Sequence, residues 1–162
     1  MWYAHLIGYS FTVLCSFLLI RNVVATLWDC IAPTGSQNPQ IRPDPWQPEA
    51  LALVESVLYV AFFQGGLGLM IGVWLGLKVA GHWKRWGESG DEKIQKPAGP
   101  SVFNIFLIGN GIAVLYSFVG FKLIGWVTAG RALRACWVSF LMVALTLLFW
   151  SWLRGFRKSH SQ

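Results

Sequence analysis

The stretch SVLYVAFFQGGLGLMIGVWLGL, residues 56–77, decides the class of the fold, because it runs for 22 residues without a charge. A helix needs about 20 largely apolar residues to cross a bilayer. The stretch is the uncharged centre of a longer apolar run over 48–83, which we predict to be one helix. This segment therefore indicates an integral membrane protein.

The composition of the whole chain supports the same class. Of its 162 residues, 55% are hydrophobic and 12% are charged, whereas an average soluble domain carries about 25% charged residues. So few charges cannot cover a water-soluble surface of this size, which excludes a soluble globular domain and a disordered tail. The 13 Lys and Arg residues flank apolar runs and form no solvated basic face, which excludes nucleic acid as a partner.

Three further segments are long and apolar enough to cross a bilayer. We predict helices over 4–30, 101–128 and 132–154 in addition to the helix over 48–83. The sequence therefore predicts an all-α fold, a four-helix transmembrane bundle in which residues 1–162 form a single membrane domain.

The loops set the expected orientation of these helices. Only a few residues around Gly130 separate the last two helices, so we expect a tight antiparallel hairpin there. Four spans place both termini on one side of the membrane. Eight Lys and Arg residues lie on the side of loop 81–100 and the C-terminal tail, against five on the other side. The positive-inside rule then predicts N-in and C-in, with that loop and the tail in the cytoplasm, and we expect a bacterial inner membrane.

Small residues at a spacing of four form two stripes on the predicted helices. In lipid, such stripes let two backbones approach closely, and this contact drives helix association. Either the two stripes meet inside the bundle, or the glycine stripe of the second helix meets a partner protein. The stripes are Gly68, Gly72 and Gly76 on the second helix, and Gly109, Ala113 and Ser117 on the third.

Two ionisable side chains, Arg21 and Glu55, fall at matching depths in the first two predicted helices. Ionisable groups inside a membrane are rare and pair with one another. We expect an Arg21–Glu55 ion pair, which is either a structural clamp or part of a site for a quinone, a lipid headgroup or a proton. We expect Gln64 and Asn110 to hydrogen-bond across the second and third helices.

Arg131 and Arg134 lie at the start of the last helix, where we expect them to meet lipid phosphates. The histidines and cysteines are not spaced for a metal or a haem, and no catalytic motif is present, so the sequence identifies no cofactor. The layout resembles that of the small four-helix membrane glutathione and eicosanoid enzymes. Those proteins carry an asparagine four residues after a glutamate in the second helix. Here Tyr59 follows Glu55, so the resemblance implies the layout alone.

These observations favour an accessory or assembly subunit that packs against a larger membrane complex, with a respiratory or photosynthetic complex as the natural candidate. Two alternatives stay open. One is a small membrane enzyme that acts on lipid or quinone through Arg21, Glu55 and Tyr59. The other is a homo-oligomeric transporter or channel that self-associates through the glycine stripe.

Overall fold

The computed structural model describes the backbone of residues 2–31, 46–87 and 99–159, and the side chains of 2–29, 50–81 and 103–155. Within these ranges every regular element is a helix, as the sequence predicts. The connector 32–45 and most of loop 81–100 lie outside the described residues. In chain order the elements are α1 (Trp2–Cys15), a π-helical turn (Ser16–Ile20), α2 (Arg21–Ile31), α3 (Trp46–Gln64), α4 (Leu69–Gly87), α5 (Gly99–Thr128) and α6 (Ala132–Ser159).

Within the described ranges, three helices are long and apolar enough to cross a membrane. The first, which we call the first long helix, joins α1, the π-helical turn and α2 into one rod with its apolar part over Trp2–Asp29. The other two are α5, apolar over Phe103–Thr128, and α6, apolar over Ala132–Gly155. Pro100 lies in the first turn of α5, where its missing N–H removes no helical hydrogen bond.

The second predicted helix is two helices, which is the main difference from the sequence prediction. A turn at residues 65–68 separates α3 from α4. Gly66 has a φ of 69°, and the Leu67 N–H donates to the Phe62 carbonyl at 2.8 Å. A left-handed glycine with this hydrogen bond is the usual way in which an α-helix ends. The apolar run over 48–83 is therefore interrupted by its own glycines.

The closest helix contact joins α1 to α5. A Cβ added to Gly8 would lie 2.6 Å from the Gly120 carbonyl oxygen, and one added to Gly120 would lie 2.8 Å from the Gly8 carbonyl oxygen. At one end of this contact Gly109 lies beside Val24, so α5 runs antiparallel to the first long helix. Glycine is required at both crossing positions because any side chain there would overlap backbone.

The direction of α4 follows from its two ends. Gln64, just before the turn, hydrogen-bonds Tyr9 at 3.0 Å, near the start of the first long helix. Lys78, farther along α4, donates to Asn110 at 2.8 Å, near the level of Val24. The chain thus reverses at the turn, and α3 and α4 run antiparallel as a hairpin of two short helices.

A second hairpin joins α5 to α6. Gly130 has a φ of 71°, and the Arg131 N–H donates to the Trp126 carbonyl at 2.8 Å. Farther along the hairpin, the Tyr116 hydroxyl lies 2.7 Å from the Thr146 hydroxyl. The two helices are therefore antiparallel and joined by three residues.

The described ends of the chain lie at opposite ends of the bundle. The Trp150 indole N–H donates to the Thr26 hydroxyl at 3.0 Å, which places the end of α6 beside α2 and away from Trp2. The sequence predicts four passes with both termini on one side. The described residues form five helical segments, counting the first long helix as one, because the turn at 65–68 adds a reversal.

Candidate functional site

Glu55 lies at the centre of α3, in the middle of the bundle. It is the tenth of the 19 residues in α3 and is 4% exposed. The next residue, Ser56, hydrogen-bonds Ser16 at 2.7 Å, and Ser16 opens the π-helical turn at the middle of the first long helix. The carboxylate is therefore placed as far as this fold allows from either end of the apolar helices.

Two donors from α4 reach the same oxygen of this carboxylate. The Lys78 ammonium lies 2.6 Å from Glu55 Oε1, and the Trp74 indole N–H donates to it at 2.8 Å. Lys78 also donates to Asn110 Oδ1 at 2.8 Å, and its ammonium lies 5.2 Å from the centre of the Phe106 ring. We call Glu55, Trp74, Lys78 and Asn110 the Glu55 cluster.

The hairpin of α3 and α4 explains why these residues meet. Lys78 is the tenth of the 19 residues in α4, as Glu55 is in α3, so the reversal at 65–68 brings the centres of the two helices together. Trp74 is one turn earlier on α4 and therefore shares the face that carries Lys78. In a continuous helix Lys78 would lie about 34 Å from Glu55, given a rise of about 1.5 Å per residue.

The expected Arg21–Glu55 pair does not form. Glu55 pairs with Lys78, while Arg21 is exposed and its guanidinium carbon lies 5.6 Å from the centre of the Phe17 ring. The prediction was wrong because it treated the second apolar run as one helix, which left Arg21 as the basic residue nearest in depth.

Tyr59 lies one turn after Glu55 on α3 and is completely buried. Its hydroxyl is the one buried side-chain polar atom in the described residues that has no hydrogen-bond partner. Long helical side chains point back toward the helix N-terminus, so this hydroxyl is directed toward the turn that carries Glu55. A buried polar group without a partner is a feature that calls for an explanation.

The two predicted small-residue stripes do not meet each other. A Cβ added to Gly72 or Gly76 would have no neighbour within 4 Å, and the nearest atom to one at Gly68 belongs to Phe63, at 3.9 Å. On α5, Gly109 lies against Val24 of the first long helix. Ala113 and Ser117, the other members of that stripe, are buried. Among the residues that the structure describes, the stripe of the third predicted helix is thus covered, and the glycine stripe of α4 is open.

The two amide side chains at depth each bridge helices. Asn110 bonds Lys78 of the second predicted helix, as expected, whereas Gln64 bonds Tyr9 and His5 of α1, both at 3.0 Å. These contacts fasten α3 and α4 to the two long helices beside them.

Arg131 and Arg134 are exposed at the turn between α5 and α6. The Arg134 guanidinium carbon lies 5.2 Å from the centre of the Trp126 ring. Their contact with lipid phosphates stays a prediction. Within the described side chains, His, Cys, Asp and Glu residues do not gather in threes that could hold a metal ion.

Sequence reasoning missed Trp74 and Lys78 as members of the site. A signal was present, because the run over 48–83 would form a helix about 54 Å long, and the apolar core of a bilayer is about 30 Å thick. That length fits two short passes better than one, with the three glycines between 65 and 68 as the turn.

The chain matches no protein-family model, and it has no significant match among curated proteins or solved structures. The function of this chain is therefore inferred from its own residues and their contacts.

Proposed function

We propose that the chain is a multi-pass membrane protein that serves as an accessory or assembly subunit of a larger membrane complex. The observation that carries this proposal is the open glycine face of α4, formed by Gly68, Gly72 and Gly76. A face of this kind lets the backbone of another helix approach closely.

The contrast with the glycines inside the bundle supports the proposal. Gly8 and Gly120 are pressed against each other's backbones, so this chain uses glycine for close helix contact where two of its own helices cross. On α4 glycine recurs every four residues, but within the described part of the chain no helix lies over Gly72 or Gly76. A transmembrane helix of another protein would complete the contact.

We propose that all five passes cross the membrane. Helices α3 and α4 have 19 residues each, or about 28 Å, which is close to the apolar thickness of a bilayer. Helices α2, α4 and α6 end at the same end of the bundle, and each is followed in the sequence by a connector or by the tail. Eight basic residues fall in or beside these segments, against three near the other end, so this end faces the cytoplasm of a bacterial inner membrane. The eight are Arg42, Lys84, Arg85, Lys93, Lys96, Arg154, Arg157 and Lys158, and the three are Lys122, Arg131 and Arg134.

A second candidate function is a small membrane enzyme that acts on lipid or quinone. The observation in its favour is the unpartnered Tyr59 hydroxyl one turn from the Glu55 carboxylate. This function requires a bilayer-soluble substrate to reach the middle of the bundle, and it assigns no role to the open face of α4.

The deciding experiment compares two glycine substitutions in the tagged full-length chain, extracted from its native membrane in mild detergent. Gly72→Leu fills the open face of α4, whereas Gly111→Leu fills an equally open glycine position on α5 that belongs to no stripe. We expect the wild-type chain and Gly111→Leu to migrate on native gels in a complex much larger than the chain, and Gly72→Leu to migrate alone.

Mass measurement of the purified wild-type chain separates the alternatives. A hetero-complex of fixed composition supports the subunit proposal. A homo-oligomer that Gly72→Leu dissolves points to the transporter or channel. A wild-type monomer with no associated protein rejects both and leaves the enzyme as the remaining candidate.

A further inference from the structure

Few apolar side chains of α4 pack against the rest of the described molecule: Ile71 belongs to the main buried cluster, and Trp74 and Leu75 pack against it while partly buried. Between Leu69 and Gly81, Ile71 is the one buried side chain, while Leu69 is 84% and Leu77 is 63% exposed. In lipid, exposed apolar side chains do not drive a helix against its neighbours, because lipid tails are as apolar as leucine.

The polar contacts that the described side chains of α4 make with its neighbours centre on one carboxylate. Trp74 and Lys78 both bind Glu55 Oε1, and Lys78 also binds Asn110 of α5. The Glu55 cluster thus joins α4 to α3 and to α5 at a single level. Removing the charge of Glu55 weakens two of these three contacts at once.

The segment that leads into α4 can act as a hinge. Three of the four residues from 65 to 68 are glycines, and Gly66 already adopts a left-handed conformation that other residues rarely reach. A Cβ added to Gly66 would meet nothing within 4 Å, so no described neighbour packs against the turn at this position. Hinges are short segments that absorb changes in φ and ψ.

We propose that α4 is a hinged lid that the charge of Glu55 holds closed over the centre of the bundle. Ile71, on the inner face of α4, belongs to the same buried cluster as Tyr59 and Tyr116. When α4 swings outward about residues 65–68, the Tyr59 hydroxyl and the Glu55 carboxylate become open to the bilayer. The lid is independent of the subunit proposal, since it requires only this chain.

The test measures the distance between α4 and α6 with a pair of spin labels. Gly81→Cys and Ser151→Cys place labels at exposed positions near the same end of the bundle, in a background without the three native cysteines, with the full chain in lipid nanodiscs. Helix α6 packs against α5 and α2, so it is a fixed reference. We expect one narrow distance distribution for the closed lid and an added, displaced population after Glu55→Gln.

A matched control breaks a different polar contact of α3. Gln64→Leu removes the bonds to Tyr9 and His5 and leaves the Glu55 cluster intact, so its distance distribution is expected to match that of the parent. A distribution that Glu55→Gln leaves unchanged, or that Gln64→Leu displaces equally, overturns the proposal.

Glu55→Gln breaks a buried ion pair by removing one charge, and this is strongly destabilising. The double variant Glu55→Gln/Lys78→Met removes both charges of that pair. We expect it to fold and to show the open population. If it folds with α4 in the parental position, the lid does not exist.

Discussion

At the scale of single residues, the unpartnered hydroxyl of Tyr59 is the least expected feature of the molecule. Tyr116 offers a natural comparison, because it is equally buried but its hydroxyl bonds Thr146 at 2.7 Å and lies 3.2 Å from the Met142 carbonyl. Of these two fully buried tyrosines, one has a hydroxyl that is hydrogen-bonded and the other has a hydroxyl that is not.

This difference predicts opposite effects for the same substitution. We expect Tyr59→Phe to raise the free energy of unfolding by about 1 kcal/mol, because it removes a buried group that makes no hydrogen bond. We expect Tyr116→Phe to lower it by about 1 kcal/mol, because it removes a bond that is made. Reversible unfolding in mixed micelles measures both values. Equal losses in the two variants would show that Tyr59 has a partner in the membrane.

The partner of Glu55 was not predictable from residue types alone. The depth of the residues along the predicted helices indicated Arg21 as the partner. An ion pair does form, but the predicted path of the chain was wrong and so the predicted cation was wrong. A buried carboxylate needs a cation, and the structure supplies Lys78 at 2.6 Å. Which cation reaches Glu55 depends on where the chain turns, and here it turns at residues 65–68.

At the scale of helices, the sequence predicts the three long ones correctly to within a few residues at most ends. These helices are predictable because each one is a single apolar run of about the thickness of a bilayer. The α3–α4 hairpin was missed because its turn consists of glycines and a leucine. These residues are also common in membrane helices, so no polar residue marks the turn in the sequence. Gly68 of that turn served as part of a helix face in the sequence prediction, and the left-handed conformation of Gly66 appears only in the structure.

The α1–α5 crossing was also missed, although its small residues are visible in the sequence. Ala4, Gly8, Thr12 and Ser16 recur every four residues and are all buried. The Thr12 hydroxyl donates to the Gly8 carbonyl at 3.0 Å, so its polar atom needs no water. This stripe, and not the glycine stripe of α4, forms the tightest contact of the described chain.

A pair of substitutions on α5 tests that crossing. We expect Gly120→Val to lower the free energy of unfolding by about 1–3 kcal/mol, because the new side chain overlaps the Gly8 carbonyl and Thr12. Gly111→Val, at an open position on the same helix, is expected to change it by less than about 0.5 kcal/mol. A similar loss in both variants would show a general effect of β-branched residues on α5 and not a specific crossing.

At the scale of the whole molecule, the five passes that we propose are an odd number and place the two termini on opposite sides of the membrane. The sequence predicts an even number and therefore places both termini inside. The two interpretations agree that the C-terminal tail and the 81–100 loop face the cytoplasm, and they differ in the side on which the N-terminus and the connector 32–45 lie.

Reporter fusions in bacteria distinguish these topologies. We expect a reporter that is active only outside the cytoplasm to be active when fused before Trp2 and inactive when fused after Ser159. A cysteine introduced at Leu67, which is exposed in the turn, should react with an impermeant reagent added from outside. Cytoplasmic reporters at both termini would restore the four-span arrangement.

The pairing of Glu55 with Lys78 also has a consequence for how the chain enters the membrane during synthesis. An isolated α3 would carry a carboxylate to the centre of the bilayer, and an isolated α4 would carry an ammonium. On insertion scales each such charge costs about 2.5–3.5 kcal/mol. Since only a four-residue turn separates the two helices, the pair can form before either helix meets lipid. Helices α3 and α4 are therefore expected to leave the translocon together, as one hairpin whose charges are already neutralised.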